Sequence, residues 1–410
     1  MMPREVTLQT PAGPRSATIE GMVAPGFEPV LEAFEECFRR DGEIGASLGI
    51  EVDGLPVVDL WGGLADPGSA SAWEKDTVCV VFSNTKPATA LCAHLLAEAG
   101  ELDLDQPVSR IWPAFGSSDK RAMTPRMFLD HSAGLPVLRD PLPDGSAFDF
   151  DYMTRRLERE QPFWQPGTRV GYHAITFGWL VGELIRRVSG RMPGDFFREQ
   201  VAMPLDLDFW IGLPESEERR VAPIIPPPAP ESPSAFDRAV TEEPDSIPAL
   251  YLRNSGGWRP QGFNTREGHA AHMCASGGIT NARALARLYG TLALGGTRDG
   301  FRLLKEETLL AAAEVSSATH LDATLLVPTR FGAGFMRQMD NRRLGLDGVL
   351  IGRDGYGHCG AGGSVAFASP GHRLGFAYVM NRMGSGVLLN SRANRLVEAM
   401  QSVMTTRLAA

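Results

Sequence analysis

The chain predicts a mixed fold, α/β plus all-α: an antiparallel sheet built from both ends of the sequence and flanked by helices, with a helical domain inserted. Three observations lead there. Strand-like alternation occurs near the N-terminus and again beyond residue 325, the stretch between reads mainly as helix and irregular segments, and an amphipathic helix sits at each end. No internal repeat interrupts the pattern. The expected boundaries are residues 1–110 with 270–410 for the α/β domain and 111–269 for the helical one.

Taken in order, a helix is expected to open the fold, because Val30, Phe34, Cys37 and Phe38 share one helical face within residues 28–41. Ala46, Leu48, Ile50 and Val52 then alternate, Asp53-Gly54 supplies a tight turn, and LPVVDLW completes a β-hairpin. Further on, Thr124-Pro125 starts a helix expected to run to Gly134, and Phe177, Leu180, Val181, Leu184 and Val188 mark another that stops at Gly190. Between residues 213 and 250, APIIPPPAPESPS is too proline-rich for helix or central strand and reads as a surface excursion. Beyond 325, LLVPTRFGAGFM and GSVAFASPGHRLGFAYVMN read as strands, and Leu389, Ala393, Leu396, Val397 and Met400 form one face of a last helix.

With 410 residues the chain can bury a large core. A net charge of −9 without a run of basic residues argues against nucleic acid or an anionic membrane as partner, and favours a small neutral or polar molecule. No apolar run has the length of a membrane span or signal peptide, so the cytoplasm is the expected location. Five cysteines, odd in number and without CxxC spacing, suggest reduced buried thiols rather than disulfides or a zinc site.

Several short patterns match known motifs without the structural context those motifs require. Ser47 sits in Gly45-Ala46-Ser47-Leu48-Gly49, a match to G-x-S-x-G, but the nucleophile elbow needs a strand before the serine and a helix after it, and here the order is reversed. Gly355 to Gly360 matches G-x-G-x-x-G, yet a strand follows rather than the helix a pyrophosphate requires. His269 and His272 lack further ligands for zinc and read as surface or core residues.

The pattern S-x-x-K occurs twice, and only four of the 40 basic residues are lysines. Ser117 to Lys120 lies in the polar FGSSDKRAM, which reads as a solvated turn. Ser83 instead ends the apolar VCVVF and opens a helix. Lys86, one turn on, falls beside the Ser83 hydroxyl, while the helix N-terminus favours negative charge on an attacked carbonyl oxygen. Burial would lower the pKa of a lysine toward neutrality, whereas an arginine stays charged. A position that needs a titratable amine would account for a lysine in an arginine-rich chain; the other reading is Ser83 as helix cap with Lys86 solvated in the first turn.

Six segments in order, DLWGG at 59–63, FSNTK at 82–86, DHSAGLP at 130–136, WQPGTRVGYHAITFGWLVGELI at 164–185, ASGGITNARALARLYG at 275–290 and GHCGAGGS at 357–364, give the chain a resemblance to serine hydrolases of the class C β-lactamase fold, nearest to family VIII carboxylesterases. The resemblance implies a β-lactamase or penicillin-binding transpeptidase-like fold. It places the family's nucleophile and lysine on Ser83 and Lys86 and its catalytic tyrosine on Tyr172. A neighbouring ammonium is expected to favour the Tyr172 phenolate, so that tyrosine and lysine share a proton. The third motif falls on His358-Cys359-Gly360, with Gly360 permitting close approach and the N–H of Ala361 joining that of Ser83 in an oxyanion hole. His131 is expected to be architectural, and Trp61 to pack.

Two departures matter. Tyr172-His173-Ala174 lacks the asparagine with which class C lactamases follow their tyrosine, and His358 replaces the third-motif lysine. Both weaken the reading of an anionic lactam. The resemblance therefore implies a carboxylesterase acting on small, short-chain esters through an acyl-enzyme, with no metal or cofactor and no predicted oligomeric state. Its alternatives are an acyltransferase or weak β-lactamase or D-aminopeptidase on the same scaffold and, in another class, a non-catalytic binding or sensor protein.

Overall fold

Alternation in residues 45–66 produces the strands Gly45–Val52 and Leu55–Asp66, and the turn between them is left-handed at both Asp53 (φ 53°) and Gly54 (φ 76°), as a tight hairpin requires. The computed structural model describes residues 2–10, 13–117, 119–228, 232–259 and 262–409. Among them, this hairpin lies inside an eleven-stranded sheet whose pairings are all antiparallel. Gly45–Val52 pairs directly with Leu374–Met380, placing Ser47 opposite Val379. Beyond Leu374–Met380 the sheet continues through Val365–Ser369, Tyr356–Cys359, Met336–Arg337 and Thr329–Phe331 to Ser317–Thr319. The first and last parts of the chain thus meet in the middle of one sheet.

Strand parity decides which helices cover which face. Tyr378 turns toward Glu43, which pairs with Arg392 of the helix Ser391–Ala409, and that helix packs on Glu28–Arg40. Gly375 and Gly49, of opposite parity, abut the helix Ala282–Ala293: a Cβ at Gly375 would come within 2.2 Å of Gly290 N, and one at Gly49 within 2.7 Å of Ala282 O. Only glycine lets sheet and helix backbones approach so closely.

Four expectations need correction. A β-hairpin, Arg4–Thr10 with Gly13–Val23, precedes the first helix; it sits at the sheet edge with only Val6, Leu8 and Ile19 buried, so its apolar signal is sparse. The helix at Thr124-Pro125 spans only Pro125–Leu129, because His131 adopts φ 66° and turns the chain. A small second sheet pairs Cys79–Val80 and Gly278–Thr280 with Phe209–Ile211, a strand inside residues 111–269 where mainly helix is expected. The proline-rich excursion ends in two helices, Ala235–Glu242 and Ile247–Arg253, each capped by a serine hydroxyl that precedes it. Thr176–Ser189 does end on a left-handed Gly190, as its sequence implies. No helix among the described residues is long and apolar enough to cross a membrane.

Candidate active site

The approach to Ser83 begins with Phe82, whose φ of 47° is a left-handed value that costs energy in a residue bearing a Cβ. Burial of its ring against Phe263, with centroids 5.3 Å apart, holds it there. The chain turns, and the helix Thr85–Glu98 starts with the Lys86 N–H donating to the Ser83 carbonyl at 3.0 Å.

Lys86 is fully enclosed. Its Nζ donates to the carbonyls of Ala174 (2.7 Å) and Ala275 (3.1 Å) and lies 3.1 Å from Ser83 Oγ. No carboxylate pairs with it among the described residues, and burial drives its pKa well below the ordinary amine value. A neutral amine has two N–H groups and one lone pair. With its proton lost, the amine can keep both N–H groups on the two carbonyls and turn its lone pair to the serine hydroxyl.

Tyr172 comes from a segment anchored by the buried carboxylate of Asp322, which accepts the Tyr172 N–H at 3.0 and 3.2 Å and also the N–H groups of Thr324 and Leu325 and the Thr329 hydroxyl. Phe331 stacks on the Tyr172 ring at 5.9 Å, His131 meets it edge-on at 4.8 Å, and Lys86 Nζ sits 4.6 Å from its centroid. The phenolic oxygen is buried and, among the described residues, meets no hydrogen-bond partner of full geometry, the Ser83 hydroxyl being its polar neighbour. Burial raises its pKa well above the usual value, opposed by the Ser83 hydroxyl. This direction runs against the expected phenolate: desolvation of the buried phenol outweighs the hydroxyl beside it.

The third segment arrives on the strand Tyr356–Cys359. A Cβ at Gly360 would stand 2.4 Å from Val81 O and 2.3 Å from Ser364 Oγ, so glycine alone lets this segment approach the one leading to Ser83. Asn84 ties the two together, its Nδ2 donating to Ser364 Oγ at 3.0 Å. His358 is enclosed, with its ring 5.8 Å from that of Tyr172, and burial lowers its pKa to about 3, leaving it uncharged.

Ser83, Tyr172, Gly360 and Ala361 line one cleft of about 670 Å³. The excursion forms part of its wall through Pro227, Phe236 and Tyr251. Residues 229–231, in the same excursion, lie outside the described residues.

Residues 31–401 match the family described as Beta-lactamase. The chain belongs to the beta-lactamase family. It is a serine hydrolase of that fold. This beta-lactamase-family chain is 37% identical over 387 residues to Esterase/beta-lactamase LipL of Mycobacterium tuberculosis, covering 91% of this chain and 85% of that protein. A penicillin-binding protein homologue from Caulobacter crescentus superposes with a TM-score of 0.84 at 36% identity, over 94% of this chain and 99% of the other. A family VIII carboxylesterase does so at 0.83 and 33%, again over 94% and 99%.

Elsewhere in this beta-lactamase-family chain, the discarded patterns serve packing. Ser47 is a buried strand residue accepting the Ala282 N–H at 3.2 Å. His269 lies between Glu218 and the Phe263 carbonyl, and His272 accepts the Gly194 N–H. His131 accepts the His173 N–H within the aromatic cluster. Lys120 requires correction: it is buried rather than solvated, donating to the carbonyls of Leu157 and Glu158, which the polar local sequence conceals. Asp322, Asn84 and Ser364 went unseen in the sequence, since their only signal is a small polar residue beside apolar ones.

Proposed function

We propose that the protein is a serine carboxylesterase that cleaves small, short-chain esters through an acyl-enzyme on Ser83. The observation that carries this reading is the buried Lys86 amine, which has no acidic partner among the described residues and lies 3.1 Å from the Ser83 hydroxyl. Ser83 Oγ attacks the ester carbonyl carbon as its proton passes to Lys86 Nζ. The N–H groups of Ser83 and Ala361 hold the oxyanion. Tyr172 gives its proton to the departing alkoxide and recovers one from Lys86, so the alcohol leaves and the acyl group stays on Ser83. Water then gives a proton to the same pair and attacks the acyl carbon, and the acid departs as Ser83 Oγ is reprotonated. These steps call on no metal or cofactor.

An ester is favoured over an anionic lactam because His358 is uncharged where the third-motif cation would stand, and position 174 offers only a methyl group. The names of LipL and of the family VIII carboxylesterase support the same class. His358 then shapes the wall beside Tyr172 rather than holding a carboxylate.

The test is a panel of p-nitrophenyl esters of graded chain length, beside a chromogenic cephalosporin, with and without an acceptor alcohol, on wild type and Ser83→Ala. Turnover of the short esters that vanishes in the variant is expected. Wild-type turnover in Ser83→Ala would remove the nucleophile from this position, and a new ester formed from the alcohol would favour acyl transfer. Failure of a fluorophosphonate to label Ser83 would favour a binding or sensor role.

A further inference from the structure

A second pocket, of about 200 Å³, opens beside the strands that wall the catalytic cleft, and Arg330, Arg337 and Arg353 line it together with Val315, Gln338 and Asp340. On the strand Thr329–Phe331, Arg330 is exposed toward this pocket while its neighbour Phe331 stacks on Tyr172. On Met336–Arg337, Met336 lines the cleft and Arg337 the pocket.

The three guanidinium groups have no carboxylate within ion-pair distance among the described residues. The nearby acids are already engaged: Asp340 is bound by Arg342 through both oxygens, and the Asp354 carboxylate accepts Ser369 Oγ and the Gly371 N–H. Arg337 is half-buried and fixed in place by donation to the carbonyls of Arg353 and Asp354. Desolvation, with the like charge of Arg330 adding to it, lowers the pKa of Arg337 against the pull of Asp354. In a chain with more acids than bases, three cations on one cavity whose lining carboxylate, Asp340, is held by Arg342 form an unfilled electrostatic site.

We infer that this pocket binds a small multivalent oxyanion of the phosphate class, free phosphate or pyrophosphate or a small molecule carrying such a group. Planar guanidinium forks match phosphate oxygens in pairs, and the cavity exceeds the size of a single phosphate. The site faces away from Ser83 and is independent of the ester reading.

The test is calorimetric titration of the full chain with sodium phosphate and with pyrophosphate, at an ionic strength held constant with sodium chloride, beside citrate. Wild type is expected to show saturable binding, tighter for pyrophosphate than for phosphate or citrate. Arg330→Gln/Arg353→Gln, at two exposed positions, is expected to lose at least tenfold in affinity with an unchanged circular dichroism spectrum. Arg343→Gln, outside the pocket, is expected to keep it. Absence of saturable binding in wild type, equal affinity in the double variant, or citrate binding at least as tight as pyrophosphate would each overturn the assignment.

Discussion

The two copies of S-x-x-K make opposite use of the same four positions. Lys86 and Lys120 are both buried, and each donates to two main-chain carbonyls. At Lys86 the third hydrogen-bonding neighbour is the Ser83 hydroxyl, no acid among the described residues pairs with the amine, and Ser83 opens onto a large cleft. At Lys120 the serine is exposed, Glu160, Glu158 and Asp119 pull the amine back toward its charged form, and its pKa settles at about 8 under desolvation. The difference teaches that burial alone does not make a base. A lysine becomes one where burial is combined with the absence of an acid and the presence of a proton to take.

The sharpest way to break this comparison is to remove each serine. Ser83→Ala should lower ester turnover by roughly 10³-fold or more, as loss of a nucleophile does, whereas Ser117→Ala should leave kcat/KM unchanged; a large effect at 117 would reverse the assignment.

Exchanging the lysines separates chemistry from packing. Lys86→Arg keeps a cation that cannot release its proton, and kcat should fall by about 10²–10⁴-fold, the usual worth of a positioned base. Lys120→Arg should instead lower the urea midpoint, with activity per folded molecule retained. In wild type, kcat/KM should rise with pH as Lys86 deprotonates, with an acid limb well below the ordinary amine range. Lys120→Gln should leave that limb in place.

Tyr172→Phe retains the ring stacked on Phe331 and removes a buried hydroxyl whose polar neighbour among the described residues is Ser83. Stopped-flow ester assays should show kcat reduced by about 10²-fold, with the thermal midpoint held or raised.

The smallest effect concerns acid stability around the site. His173 and His358 are both held uncharged by burial, with pKa values lowered to about 3. The unfolded chain therefore binds protons from about pH 6.5 downward that the folded chain refuses, and stability falls with falling pH across that window. Urea midpoints measured from pH 7 to pH 5 should decline, and less so in His358→Gln; a midpoint that rises on acidification would contradict the buried neutral state.

Legibility in the sequence followed the density of local signal. The first helix and the hairpin at 45–66 were readable because apolar spacing and Asp53-Gly54 act within a few residues. The edge hairpin at 4–23 was not, since three buried side chains do not make a visible period. At the site, Ser83, Lys86 and Tyr172 could be named from six ordered segments, and the structure brings those three side chains together. Asp322 escaped notice because what makes it matter, the donors converging on its carboxylate, comes from the Tyr172 backbone and from its own later loop. The phenolate expectation runs against the structure for a related reason: the desolvation that raises the Tyr172 pKa comes from segments distant in the chain.

By itself the sequence determined the chemical types, a hydroxyl one helical turn from an amine that can titrate, and glycines where backbones must touch. Such choices act through bonds, rotamers and neighbours a few residues away. Tertiary structure decided the charge on each group, because the carbonyls, acids and solvent that set it come from segments as far apart as 86, 174 and 275. Two matches to one tetrapeptide pattern ended in different electrostatic surroundings for that reason.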